Sequence, residues 1–163
     1  MDPVTVSITI GRPREEVFDY LADIANHQEF SDHYLKHWRL TREDSWGQGA
    51  GARYRLARRN RFAWGETTFV EVLPPYRIVG VGRGGKYNRT KSFTAWVLSP
   101  APGGGTRVEL TSETEPALIT DRLAEAFGFR RWFKRGSGKA LRRLRSILED
   151  GERRGPRTTV AGL

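Results

Sequence analysis

Residues 4–24, VTVSITIGRPREEVFDYLADI, carry two different hydrophobic periods back to back. Val4, Val6, Ile8 and Ile10 alternate with polar residues, the period of a half-buried strand. Gly11-Arg12-Pro13 breaks the pattern, and proline suits the first turn of a helix, where its missing N–H removes no bond. Val17, Phe18, Leu21 and Ile24 then return at helical spacing, with Glu15 and Glu16 where the helix dipole favours negative charge. A strand therefore runs straight into a short amphipathic helix ending near Asp23.

Downstream, 26–38 mixes His, Phe, Tyr and Trp with acids and predicts a short helix or loop, and 36–43 is compatible with a strand. Trp46-Gly-Gln-Gly-Ala-Gly51 is a turn leading into a strand over 52–59, and Asn60 begins another turn. Strands follow over 63–73, 77–83, 89–99 and 106–115, ended in order by Pro74-Pro75, Gly84-Gly85, PAPGGG at 100–105 and Pro116. Such closely spaced strand-and-turn units argue for an antiparallel meander. From Ile119 the period becomes helical through Leu123, Phe127, Ala140, Leu141, Leu144, Ile147 and Leu148. This predicts a helix of about 30 residues, with Gly128, Gly136 and Gly138 as points of weakness or close approach. The last residues, 151–163, have no periodicity and read as a disordered tail.

A single antiparallel sheet must cover its apolar face, and only the final helix is long enough to do so. The expected architecture is α+β: a strongly curved antiparallel sheet of about seven strands wrapped around a long C-terminal helix, with two short helices after strand one. Residues 1–150 form the single domain. The space between sheet and helix is the natural ligand site.

Composition bounds the function. The chain has 163 residues and no cysteine, which excludes a disulfide scaffold, a cysteine nucleophile and thiolate metal sites. Hydrophobic content of 37% and aromatic content of 11% argue against disorder for most of its length. There is no signal peptide pattern and no apolar run approaching the roughly 20 residues of a membrane span, so a cytoplasmic protein is expected. The net charge of +9 is uneven: residues 1–120 hold 16 basic and 14 acidic residues, residues 121–163 hold 12 and 5. A smaller cluster is Arg53, Arg55, Arg58, Arg59 and Arg61.

The order of these elements resembles the helix-grip fold of the START-like (SRPBCC) superfamily, and most nearly its polyketide cyclase/dehydrase and lipid transport family. The residues that carry the resemblance are ITIGRPREEVFDYLADIANHQEF at 8–30, with its P-x-x-x-V-F-x-x-L-x-D core; VEVLPPYRIV at 70–79; FTAWVLSPAPGGGTRVEL at 93–110; and ALRRLRSILE at 140–149. The match spans roughly residues 3–150. The resemblance implies a cavity for a hydrophobic small molecule, either carried or, in the cyclase members, transformed. It supplies no catalytic signature to transfer, because fold does not imply function.

The residues expected to line the cavity are Tyr54, Leu56, Trp64, Phe69, Trp96, Leu98, Leu110, Leu123 and Phe127. The competing reading is that they simply fill the core, and a one-residue slip in strand facing exchanges the two. His27, His33 and His37, with Glu29 and Asp32 between, invite a metal or general-base hypothesis. The spacing H-x5-H-x3-H matches no metal motif, so no metal and no cofactor is expected. Asp32, Tyr54 and Glu71 are further candidate bases for the enzyme reading. The glycines of 47–51 lack the strand–G-x-G-x-x-G–helix context of a phosphate loop and read as a hairpin turn.

The stretch Phe127-Gly-Phe-Arg-Arg-Trp-Phe-Lys-Arg135 interleaves aromatics and cations. Its aromatics fit the buried side of a helix and its cations the wet side. Contact with nucleic acid or an anionic membrane is the other reading, with nucleic acid the less favoured. The expected partner is a hydrophobic small molecule; the expected enzyme alternative is a polyketide cyclase/aromatase or dehydratase. Both a monomer and a homodimer are compatible with the sequence.

Overall fold

The computed structural model describes residues 1–58, 63–117, 128–151 and 157–160. Seven antiparallel strands form one sheet in the order β1-β7-β6-β5-β4-β3-β2. They are β1 (Val4–Ile10), β2 (Leu35–Leu40), β3 (Gly51–Leu56), β4 (Trp64–Leu73), β5 (Arg77–Gly84), β6 (Thr90–Pro100) and β7 (Thr106–Pro116). β2 to β7 make the meander, and β1 adds to its far edge by pairing with β7. Helix α1 (Arg14–Ala22) follows β1, and a single 3₁₀ turn (Ile24–Asn26) leads into α2 (His27–Ser31). Helix α3 (Phe129–Asp150) closes the fold.

The expected architecture is therefore present. β1 turns into α1 at Pro13, whose carbonyl accepts the first helical bond from Val17 N–H. Val17, Phe18 and Leu21 are fully buried against the sheet. From α3, Ala140, Leu141, Leu144, Ile147 and Leu148 enter the same core, the i, i+3, i+4, i+7 stripe of an amphipathic helix. They meet Ile10, Val108, Leu110, Trp96, Leu98 and Ile78 from the concave face of the sheet.

Three details differ from the sequence reading. The strand expected over 36–43 is β2, which ends at Leu40 and carries a bulge between Lys36 and Arg39, with His37 at φ 54°. The bulge breaks the period of two that defines a strand by sequence. Helix α3 is capped at Gly128 in the left-handed region, φ 78°, where glycine is the residue without a Cβ penalty. The part of the long helix expected from Ile119, including Leu123 and Phe127, lies outside the described residues, as does the turn at Asn60. Third, residues 157–160 of the segment expected as a disordered tail lie against the body of the fold. Thr158 N–H donates to the Ala25 carbonyl and Leu40 N–H to the Thr159 carbonyl. Thr158 Oγ1 donates to Gln28 Oε1 at 2.8 Å, and Arg157 pairs with Asp23. The contact with Leu40 covers part of an otherwise open sheet edge.

Candidate functional site

The concave face of the sheet changes character along its length. On β6 the inward residues run Leu98, Trp96, Thr94, Ser92, Thr90. Their β7 partners run Val108, Leu110, Ser112, Thr114, and their β5 partners Ile78, Gly80, Gly82, Gly84 for the last four layers. One end is therefore filled by Trp, Leu, Ile and Val. The other is floored by the hydroxyl residues of β6 and β7, whose small side chains leave space above them. The glycines of β5 serve a different purpose there: a Cβ on Gly82 or Gly84 would collide with the β4 backbone at Glu66 and Trp64.

At the open end lies a cavity of about 520 Å³. Tyr54, Leu56 and Trp64 bound it from β3 and β4, and Phe129 and Phe133 from the first turns of α3. Ser92, Thr94, Ser112 and Thr114 form its floor on β6 and β7, while Arg58, Arg83 and Lys86 stand at the strand ends around it. Glu113 is the one acid among these lining residues.

Tyr54 is wedged between the Trp38 ring, 4.8 Å away, and the backbone of Gly65, where a Cβ would stand 3.1 Å from its Cε2. Burial, with Tyr34 and Glu66 nearby, pushes its phenol well above the usual tyrosine range. It therefore stays protonated, with an O–H that can donate. Trp64 edges the cavity while its ring packs against the Arg53 guanidinium at 5.4 Å. The Arg58 guanidinium lies over both Phe129 (5.1 Å) and Trp132 (5.7 Å), tying the end of β3 to the start of α3.

Of the residues expected at the cavity, the structure brings Tyr54, Leu56 and Trp64 together. Phe69, Trp96, Leu98 and Leu110 belong instead to the closed core and do not line the cavity. Leu123 and Phe127 lie outside the described residues. Sequence reasoning passed over Phe129, Phe133, Arg58 and the hydroxyl floor. The signal for the floor was present, in the regular Thr90, Ser92, Thr94 alternation running into Trp96 and Leu98, and in the Gly80, Gly82, Gly84 alternation beside it.

The histidine segment resolves into three separate places. His27 is buried among Phe30, Trp38, Phe69 and Trp96, with ring centroids 5.2–6.3 Å apart. Its Nε2 lies 2.8 Å from the Leu21 carbonyl, which fixes Nε2–H as the donor. Burial lowers its pKa to about 4. His33 donates from Nε2 to the Gly136 carbonyl at 3.0 Å and faces Arg143 through Nδ1. Its pKa is lowered, first by burial and then by the Lys139 and Arg143 charges, against the opposing pull of Gly136 and Asp32. His37 sits at the β2 bulge.

The other candidate bases are also engaged. Arg143 clamps Asp32 and the Glu29 carbonyl, so α2 is fastened to α3. The Glu29 carboxylate accepts from Tyr20 Oη at 2.7 Å, and Glu71 pairs with Arg77 at 3.3 Å. None of these acids lines the cavity. Among the described residues, no group of three His, Cys, Asp or Glu side chains is placed to hold a metal ion.

The glycines at 47–51 form the expected turn, with Gly47 and Gly49 at φ 77° and 89°. Arg130, Arg131, Lys134 and Arg135 all lie on the first two turns of α3, beside the cavity residues Phe129 and Phe133. Among the described residues no helix is long and apolar enough to cross a membrane.

Residues 1–149 match the sequence profile described as "Polyketide cyclase / dehydrase and lipid transport". No curated protein sequence is a significant match. Among solved structures, TTHA0849 from Thermus thermophilus superposes with a TM-score of 0.70 at 15% identity, covering 93% of this chain and 99% of that one. The KanY protein (ms6282) gives 0.71 at 18% identity, covering 91% and 99%. DynU16, described as a putative protein in the dynemicin biosynthetic locus, gives 0.62 at 16% identity, with 96% of this chain matching 50% of that one. At these identities the likeness is one of fold.

Proposed function

Because the chain belongs to the polyketide cyclase/dehydrase and lipid transport family, we propose that it binds a hydrophobic small molecule, a lipid, polyketide or similar ligand, in the cavity between its sheet and α3. The observation that carries this reading is the change of filling along β5, β6 and β7. The same fold is packed solid at one end and left open by small residues at the other. A volume of about 520 Å³ falls in the range of roughly 300–1,000 Å³ typical of small-molecule sites. Tyr54, Leu56, Trp64, Phe129 and Phe133 supply apolar wall, and Tyr54 Oη and the floor hydroxyls supply a few fixed polar contacts. The test is native mass spectrometry of the freshly purified chain, followed by titration with apolar fluorescent probes. A co-purifying ligand or saturable binding at one site is expected. An empty protein that binds no apolar probe would refute the reading.

A second reading, a cyclase or dehydratase acting on an apolar carbonyl substrate, is favoured by Tyr54. Its hydroxyl has no hydrogen-bond partner among the described residues and is held protonated, suited to donate to a substrate carbonyl. Tyr54→Phe separates the two readings. It abolishes turnover in an enzyme but weakens binding by a carrier no more than about tenfold, the scale of one lost neutral hydrogen bond.

A further inference from the structure

We propose that the ligand is an amphipathic acid, with its anionic group held at Arg58 and its apolar body lying in the cavity. This rests on the reading that the cavity binds a small molecule, and adds the chemical class. Among the described lining residues, Arg58 and Lys86 bring two cations to the cavity, while Arg83 and the exposed Glu113 alternate onto the sheet face opposite the floor residues Gly84, Ser112 and Thr114.

Arg58 is the member that combines partial burial with ring stacking. Arg77 has Glu71, Arg107 has Glu109 and Arg143 has Asp32, whereas Arg58, like Arg53 and Arg83, has no carboxylate within ion-pair distance among the described residues. Arg58 is half-buried on the cavity wall, yet among the described residues it makes no ion pair and no side-chain hydrogen bond. Its position is fixed by the faces of Phe129 and Trp132. Stacking of this kind engages the face of the guanidinium and leaves its in-plane N–H donors available, the fork that grips a carboxylate or similar anion in two places. A partly desolvated cation without a counter-ion is unfavourable, and an arriving anion removes that penalty. The first turn of α3, which carries Phe129, contains no acid, and its dipole adds positive potential at the same point.

The body of the ligand is specified as well. Ser92, Thr94 and Ser112 have no side-chain hydrogen bonds among the described residues. A ligand lying on this floor gains from oxygen substituents along one edge and an apolar opposite edge facing Leu56, Phe129 and Phe133.

The experiment compares two probes with the same aromatic skeleton, 8-anilino-1-naphthalenesulfonate and its uncharged counterpart N-phenyl-1-naphthylamine, by fluorescence titration of the full chain. The sulfonate is expected to bind about tenfold more tightly, the scale of a charge-assisted hydrogen bond, with partial weakening in salt. Arg58→Gln should erase this preference while leaving the amine within about twofold, and Arg142→Gln, exposed on α3 away from the lining, should leave it intact. Equal affinity for the two probes in the unmodified chain overturns the inference, whether or not the variant folds, and leaves the apolar site standing. An Arg58→Gln protein that folds and retains the preference also overturns it. Binding of neither probe removes the underlying reading and the inference together.

Discussion

Tyr34 packs its ring directly onto the backbone of Gly136, so that a Cβ on Gly136 would stand 2.6 Å from Tyr34 Cδ2. The glycine lets α3 approach the segment between α2 and β2 closely enough for His33 to reach the Gly136 carbonyl and for Arg143 to clamp Asp32. Gly138, two residues on, has nothing nearer than 3.9 Å, from the flexible end of Arg142. Gly136→Ala is therefore expected to destabilise the protein by about 1–3 kcal/mol through overpacking. Gly138→Ala should stabilise it by up to roughly 1 kcal/mol through helix propensity. Urea denaturation of the two variants checks the pair; equal effects would contradict the packing described.

His27 sets a pH dependence. Its pKa is about 4 in the folded protein, against an ordinary value of 6.5. Above 6.5 the ring is neutral in both folded and unfolded chains, and its contribution is fully present. As the pH falls from 6.5 towards 4, only the unfolded chain takes up the proton, and stability declines by about 3 kcal/mol. Below 4 this contribution levels off. Carboxylates titrate in the same region, so the measurement is the stability difference between the native chain and His27→Gln at pH 7.5 and at pH 4. That difference should shrink by about 3 kcal/mol. A difference independent of pH would place His27 outside the core.

Filling the open end should abolish the site without harming the fold. The double substitution Thr94→Phe with Ser112→Leu extends the Trp96–Leu110 layer by one pair. Probe affinity is expected to fall at least about tenfold, the scale set by loss of apolar contact area. The melting temperature should hold or rise, because the added groups enter space rather than packed atoms. Retained affinity would mean that the ligand lies elsewhere.

Arg143→Met removes the donor that joins α3 to Asp32 and to the Glu29 carbonyl, while keeping the aliphatic stem. The pair is partly exposed, with side chains 33% and 43% accessible, so a modest cost of about 1–2 kcal/mol is expected. Asp32→Asn in the Met background should add little to it. Independent, fully additive effects in this double-mutant cycle would show that the two side chains do not interact.

Much of the fold could be read along the chain. The switch from period two to helical period at Pro13, the glycine and proline turns, and the apolar stripe from Ala140 to Leu148 place most elements near their observed bounds. The bulge in β2 was not legible, because a break in the period of two at His37 reads in sequence as readily as the end of a strand. The site was half legible. Tyr54, Leu56 and Trp64 were recognisable as large residues on inner strands, but so were Phe69, Trp96, Leu98 and Leu110, and composition cannot separate a cavity wall from a core.

The sequence by itself determined the run of antiparallel strands, the closing helix and the buried stripe of that helix, because these follow from periodicity within one segment. It also located the positive charge, largely in the last quarter of the chain. Only the tertiary structure decided where the interior stays open. That depends on residues far apart in sequence sharing one layer: Trp96 with Leu110 and Ile78 at the closed end, Ser92 with Thr114 and Gly82 at the open one. The same is true of Arg58, an arginine in a basic stretch until β3 and α3 bring it over Phe129 and Trp132 beside the cavity. Volume and electrostatic environment are properties of such long-range neighbours, and no local pattern encodes them.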